Sequence, residues 1–226
     1  MKPKVSLLEI ENNPQIGLYF VATNDFVLCG KANLKEEEKK SIEEILQVPL
    51  LPFSCYSSEI IGVFMQVDMY SKTFFIPKDL PEKEKNILQE ISSKYQYSII
   101  ELSSLTNAIG NLLAPTPNAV IISSELKKYT DELKRKTQKK IIILDNLEFH
   151  QAGALIKSLN SKTLASSELN NQTIEEIENE VDNISTANSG SAYISSAIVG
   201  NDKGILIGNI TTTVEIQTIL ETFEFL

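Results

Sequence analysis

The run Ile16-Gly17-Leu18-Tyr19-Phe20-Val21, a polar turn at Asn24-Asp25 and the apolar Phe26-Val27-Leu28-Cys29 set the reading of the whole chain. A glycine-containing apolar segment, a turn and a second apolar segment read as two short paired strands. A polar, helix-like stretch follows, with Asn33 as its expected N-cap, Glu36 three residues on, and Ile42, Ile45 and Leu46 on one face.

The same unit recurs four times. The second copy has Ile60-Ile61-Gly62-Val63-Phe64, a turn at Tyr70-Ser71 and Thr73-Phe74-Phe75-Ile76, then a helix from Pro81 with an Ile87, Leu88, Ile91 stripe. The third has Ala108-Ile109-Gly110-Asn111-Leu112-Leu113, a turn at Pro117-Asn118 and Ala119-Val120-Ile121-Ile122. The fourth has Gly153-Ala154-Leu155-Ile156, a turn at Asn160-Ser161 and a helix carrying Ile174, Ile177 and Val181. In the fifth, Ser196-Ala197-Ile198-Val199 leads through Asn201-Asp202-Lys203-Gly204 to Ile205-Leu206-Ile207. A capping box from Thr212 to Glu215 then opens a helix presenting Ile216, Ile219, Leu220 and Phe223.

The spacing fixes the architecture. Gly17, Gly62, Gly110, Gly153 and Ser196 follow one another at 45, 48, 43 and 43 residues. Thirty residues follow Ser196 and sixteen precede Gly17, which together make one more unit, split across the termini. An open row of such units would leave unpaired strand edges. If the N-terminal strand, Val5 to Ile10, completes the last unit, the row closes into a ring and the edges vanish. A linear solenoid would carry polar capping units at its ends instead. The repeated glycine reads as a close backbone approach where a side chain would clash, the alternative being a ligand contact. The expectation is one domain, residues 1–226, of five repeats starting near 16, 60, 108, 152 and 195, with residues 1–15 completing the last.

Composition narrows the function classes. Hydrophobic content of 42% and charged content of 23% are those of a folded globular chain, which rules out disorder. No apolar run is long enough to span a bilayer, and the start carries Glu9 and Glu11 rather than a signal-peptide pattern, so a cytoplasmic protein is expected. Cys29 and Cys55 are too few and too far apart for a disulfide framework or a zinc site and read as reduced, partly buried thiols. A net charge of −9 repels polyanions, so an RNA-rich partner requires a local basic patch or docking onto protein. Lys127, Lys128, Lys134, Arg135, Lys136, Lys139 and Lys140 form the one basic concentration. It reads either as a phosphate contact or as a solvated helix face.

A strand–turn–strand–helix unit repeated five times matches an α/β, pentein-type five-bladed β/α propeller. Within that architecture the segments resemble the translation initiation factor 6 family. The resemblance lies in Ala108-Ile109-Gly110-Asn111, Asn188-Ser189-Gly190, Ala197 to Gly204 and Thr211-Thr212-Thr213-Val214-Glu215, with Ile16-Gly17, Thr23-Asn24 and Ile60-Ile61-Gly62 in support. It implies a ribosome anti-association factor that binds the large subunit and blocks joining of the small one. The implied contact is a ribosomal protein near the sarcin–ricin loop, with ribosomal RNA as a second contact. It also implies a monomer with neither cofactor nor metal. The end at Leu226, just after the fifth helix, resembles the tail-less archaeal type. Two departures stand out: Ser189 replaces a usual basic residue, and Ser196 stands where the other units have glycine.

Other members of the architecture modify guanidino groups with a Cys nucleophile near the C-terminus, a His and acidic residues. Here no Cys follows Cys55, and the one histidine is His150, in Leu147-Glu148-Phe149-His150. Glu175-Glu176 and Glu36-Glu37-Glu38 read as solvated helix faces. A ring-shaped scaffold unrelated to ribosomes is the third class, since fold does not dictate function. The docking residues expected are Asn111, whose amide both donates and accepts, and Lys134, Arg135 and Lys136. Asn111 has a competing role in tying down a turn.

Overall fold

The computed structural model describes residues 4–31, 33–145 and 151–226. Leu147 to His150, and with them the only histidine, lie outside the described residues. The chain opens with strand β1 (Lys4–Leu8). Blade I then contains β2 (Phe20–Ala22), β3 (Val27–Cys29), helix α1 (Glu36–Leu46) and β4 (Leu50–Pro52). Blade II contains the one-turn helix α2 (Ile61–Phe64), β5 (Gln66–Asp68), β6 (Thr73–Pro77), α3 (Glu82–Tyr95) and β7 (Ser98–Leu102). Blade III contains α4 (Ile109–Leu112), β8 (Leu113–Pro115), β9 (Ala119–Ser123), α5 (Thr130–Thr137) and β10 (Lys140–Leu144). Blade IV contains α6 (Ala152–Leu155), β11 (Ile156–Leu159), β12 (Lys162–Ser166), α7 (Asn171–Ile177) and β13 (Asn183–Ser185). Blade V contains α8 (Ile194–Ala197), β14 (Ile198–Asn201), β15 (Gly204–Gly208) and α9 (Thr213–Thr222).

Each blade is a three-stranded sheet of one pattern: an antiparallel hairpin, then a helical crossover to a third strand parallel to the middle one. Blade V takes its third strand from the N-terminus. β1 runs parallel to β15, with Val5 opposite Ile205 and Leu7 opposite Ile207. The first strands contact one another in the cyclic order β2, β5, β8, β11, β14 and back to β2, which closes the ring. This is the five-bladed pentein-type arrangement that the spacing implied.

Alternation along the middle strands explains why the ring holds. In β9, Ala119 and Ile121 join the cluster between blades III and IV, while Val120 and Ile122 join the one between II and III. In β6, Phe74 and Ile76 face blade I and Phe75 faces blade III. In β15, Ile205 and Ile207 face blade IV and Leu206 faces blade I. A strand buried on both faces reads as a continuous apolar run, which is how these segments look in sequence. Each of the five clusters therefore lies between two blades. Fully burying one such Ile, Leu or Phe contributes about 1.5–3 kcal/mol, all of it conditional on the neighbouring blade being present.

The glycine segments differ from their reading as strands. Ile16–Leu18 is a 3-10 turn, and Gly62, Gly110 and Gly153 lie on the one-turn helices α2, α4 and α6. These turns pack in sequence around the axis, each on the next. A Cβ on Gly62 would overlap the Gly17 carbonyl oxygen, one on Gly110 that of Gly62, and one on Gly153 that of Gly110. Their aligned place in α8 belongs to Ser195, not Ser196, because Ile194 starts that helix as Ile61 and Ile109 start theirs. Ser195 keeps a side chain there by donating to the Ile156 carbonyl at 2.8 Å. Its own carbonyl is the atom that a Cβ on Gly17 would meet.

Three helix details also shift. Lys35, not Asn33, caps α1, and its N–H donates to Glu38 Oε2 at 2.8 Å. Ile87 lies on the exposed side of α3, where Glu84, Leu88 and Ser92 are the buried stripe. Val181 lies beyond α7 and the 3-10 turn Glu178–Glu180 that follows it.

Candidate functional site

Asn111 sits at the ring's centre. It lies on α4, between α2 and α6, and lines an axial cavity of about 70 Å³. The cavity wall includes Gly17, Gly62, Gly110, Gly153 and Ser195 from the inner turns, and Gln66, Lys157 and Ser158 from the first strands. Met69 also lines the cavity and packs on the core between blades IV and V, so the blade II hairpin reaches across the axis. Tyr70 beside it accepts a hydrogen bond from the Ser161 N–H of blade IV at 3.2 Å. The Asn111 backbone N–H donates to the Ala108 carbonyl at 2.9 Å, while its side-chain amide makes no hydrogen bond among the described residues. The amide therefore ties down no turn within the ring.

Lys134, Arg135 and Lys136 are exposed on α5, which packs on β10 in the outer layer. The fold thus separates them from Asn111, and the expected docking residues form two places rather than one. Leu133 and Thr137 anchor α5 inward, with Thr137 Oγ1 donating to the Leu133 carbonyl at 2.7 Å. Lys136 pairs with Glu132 one turn back at 2.9 Å. Lys139 departs from the solvated face expected of the basic run. Its side chain is 9% exposed, and its ammonium reaches Asp68 at 2.7 Å, the Thr116 carbonyl at 2.5 Å and the Tyr70 ring at 4.7 Å from its centroid. Burial pulls that ammonium below its ordinary pKa, with Asp68 opposing the shift. Lys139 is a seam residue of blades II and III, leaving the outer patch to Lys127, Lys128, Lys134, Arg135, Lys136 and Lys140.

The segments that carry the family resemblance build seams and loops. Asn201 is fully buried; its amide donates to the Thr23 carbonyl at 3.0 Å and the Leu46 carbonyl at 2.9 Å, joining blade V to blade I. Its side-chain oxygen accepts from the Lys203 and Gly204 N–H groups. Asp202 and Asn24 exchange two hydrogen bonds across the same seam, at 2.7 and 3.0 Å. Asn188 is buried, donating its amide to the Pro14 carbonyl at 3.0 Å and accepting from Thr211 Oγ1 at 3.1 Å. Ser189, exposed beside it, donates to the Ile210 carbonyl at 2.6 Å.

Two carboxylates hold loops in ways that the sequence reading did not include. Glu215 accepts from Thr186 Oγ1, from the N–H groups of Ser189, Gly190 and Thr212, and from Thr212 Oγ1, at 2.6–3.2 Å. Burial works to raise its pKa, but these donors override it and hold the carboxyl at about 2. In blade II, Glu84 accepts from Ser54 Oγ and from the N–H groups of Tyr56 and Ser57 at 2.7–2.8 Å. Each grips two consecutive residues at positive φ, Tyr56-Ser57 for Glu84 and Ser189-Gly190 for Glu215. Thr212 with Glu215 is legible as a capping box; Glu84, three residues after Pro81, carries no such signature.

Neither cysteine lines the axial cavity. Burial pushes the Cys29 thiol up to about 11 and raises that of Cys55 as well. Among the described residues no His, Cys, Asp and Glu cluster could hold a metal ion, and no helix is long and apolar enough to cross a membrane.

Comparison with known proteins places this geometry. The family model for the eIF-6 family matches residues 5–222. Translation initiation factor 6 of Thermococcus onnurineus (strain NA1) is 29% identical over 234 residues, covering 98% of this chain and 99% of that protein. Those of Pyrococcus horikoshii and Staphylothermus marinus are 26% and 27% identical, covering 98% and 94% of this chain and 99% and 94% of theirs. Among solved structures, a dimethylarginine dimethylaminohydrolase adduct with S-methyl-L-thiocitrulline is similar at a TM-score of 0.52. It is 11% identical, covering 83% of this chain and 76% of that one. The Pseudomonas aeruginosa enzyme with citrulline also gives 0.52 at 10% identity, covering 99% and 89%. At those identities the likeness speaks for the fold alone. The match over residues 5–222, on a ring whose seams are built by the segments that carry the resemblance, means that the chain belongs to the eIF-6 family, alongside the translation initiation factors of these archaea.

Proposed function

We propose that this protein binds the large ribosomal subunit in the cytoplasm, as a monomer, and prevents its association with the small subunit. The family match over nearly the whole chain carries this reading. The protein acts stoichiometrically, docking chiefly onto a ribosomal protein near the sarcin–ricin loop. A surface of net charge −9 favours a protein contact over an RNA one, with the α5 patch as the place where phosphates would be met. A non-enzymatic role is supported by buried, high-pKa thiols away from the axial cavity, and by a cavity well below the roughly 300–1,000 Å³ of small-molecule sites.

The test is a sucrose-gradient profile of purified large and small subunits with increasing protein. Joined ribosomes should decline until one protein is bound per large subunit. Unchanged profiles at saturation would sink the reading, and Cys29- or Cys55-dependent turnover of a guanidino compound would favour an enzyme.

Asn111 is proposed as a docking residue, because its amide reaches the cavity without an internal partner. Asn111→Ala should keep its melting temperature and weaken large-subunit binding by about 1–3 kcal/mol, the cost of leaving a buried polar group unpaired. A fall in stability, with binding weakened only in proportion, would assign Asn111 to the ring instead.

A further inference from the structure

Lys157 breaks the ring's symmetry. It follows Ile156 at the start of β11, where the matching residues after Phe20, Met65, Leu113 and Ile198 are Val21, Gln66, Ala114 and Val199. Among the described residues it is the one charged side chain lining the axial cavity. It makes no ion pair and no side-chain hydrogen bond to them, unlike Lys31, Lys85, Lys139 and Lys162, which each have a carboxylate. Burial alone lowers its pKa, to about 8, with no acidic or basic neighbour contributing. The other described residues of the cavity wall, from α4, α6, α8, β5 and β8 among others, include the Asn111 and Gln66 amides and the Ser195 and Ser196 hydroxyls but no carboxylate. Lys157 is half-buried; a cation so placed without a counter-charge carries a desolvation cost, and an anion brought to it relieves that cost.

From this geometry we infer that the axial cavity is a binding site for one small anion, held by Lys157 with the Asn111 amide as a second donor. At about 70 Å³ the cavity suits a carboxylate or an inorganic oxyanion and is too small for a nucleotide or a guanidino amino acid. Gln66, which lines the same wall, adds an amide donor. The site shares Asn111 with the proposed docking contact, so the inference is tested on the free protein, without ribosomes.

The experiment uses the full chain at pH 7, with ionic strength held constant by a bulky organic sulfonate too large to enter the cavity. Acetate, standing for a carboxylate, and inorganic phosphate are titrated in separate arms. At least one should raise the melting temperature saturably in the wild type, and the rise should vanish in Lys157→Met. A response to acetate alone assigns a carboxylate; a response to phosphate alone assigns an inorganic oxyanion. As a readout that needs no variant, 13C-lysine NMR of the wild type should show one lysine titrating near pH 8, with its midpoint moving upward when the anion is added. Identical melting responses in wild type and Lys157→Met, or no lysine signal that moves with either anion, would overturn the site.

Discussion

Glu215 couples a helix to a loop some 25 residues upstream, and its titration makes that coupling measurable. The unfolded carboxyl titrates near 4.5 and the folded one near 2. A depressed folded pKa contributes stability in full above about 4.5, and this is lost as pH falls from there toward 2. Glu215→Gln should therefore destabilise the protein at pH 7 by about 1–3 kcal/mol, as expected for hydrogen bonds to a charged group. Near pH 2 the two proteins should differ little. Denaturant melts at both pH values check this, and an equal gap at both would mean that the charge is irrelevant. The sequence showed half of this device. Thr212 and Glu215 stand three apart, as a capping box must, but nothing local reveals that the carboxylate also receives Ser189 and Gly190. Asn111 was legible only by resemblance, and Lys157 not at all, because one lysine in a strand looks the same whether it faces a cavity or water.

The elements were legible in proportion to their length and periodicity. Middle strands such as Ala119–Ser123 and the capped helix Thr213–Thr222 stood out. The inner turns did not. An apolar run of four residues is shorter than one heptad, so a 3.6-residue period cannot show itself, and Ile-Gly-Leu reads as strand. The same shortness hid the register of α8, where two adjacent serines left the glycine's place ambiguous by one residue. The basic run was legible as charge but not as geometry: α5 turns Lys134, Arg135 and Lys136 outward, and the strand after it carries Lys139 into a seam. This division shapes the test of the patch. Reversing Lys134, Arg135 and Lys136 to glutamate leaves Leu133, Thr137 and Lys139 untouched, so folding should persist. If α5 meets phosphates, the slope of log affinity for large subunits against log salt should flatten, by just under one unit for each phosphate no longer neutralised. An unchanged slope would make α5 a solvated face, with docking onto protein alone.

At the scale of the whole molecule, stability belongs to the seams. Among the described residues every large buried cluster lies between two blades, so each blade draws its burial from its neighbours. β1 is the extreme case, because it belongs to the last blade while coming from the start of the chain. It pairs with β15 over five residues, and Leu8 and Ile10 pack in the same cluster as Ile16, Phe20, Ile42 and Leu206. Deleting Met1 to Glu11 would leave the outer edge of β15 unpaired, in a strand whose five residues are all buried in the intact ring. It would also uncover α1, which packs on both β1 and β15. The truncated protein should melt at a lower temperature and self-associate, since an exposed apolar strand edge is a template for pairing with a second copy. Calorimetry with sedimentation velocity separates the two effects. Loss of stability without association would mean that α1 shifts to cover the edge. An unchanged melting temperature in a monomer would show that the ring holds without its N-terminal strand, and that the seam through Asn201 and Asp202 suffices to join blade V to blade I.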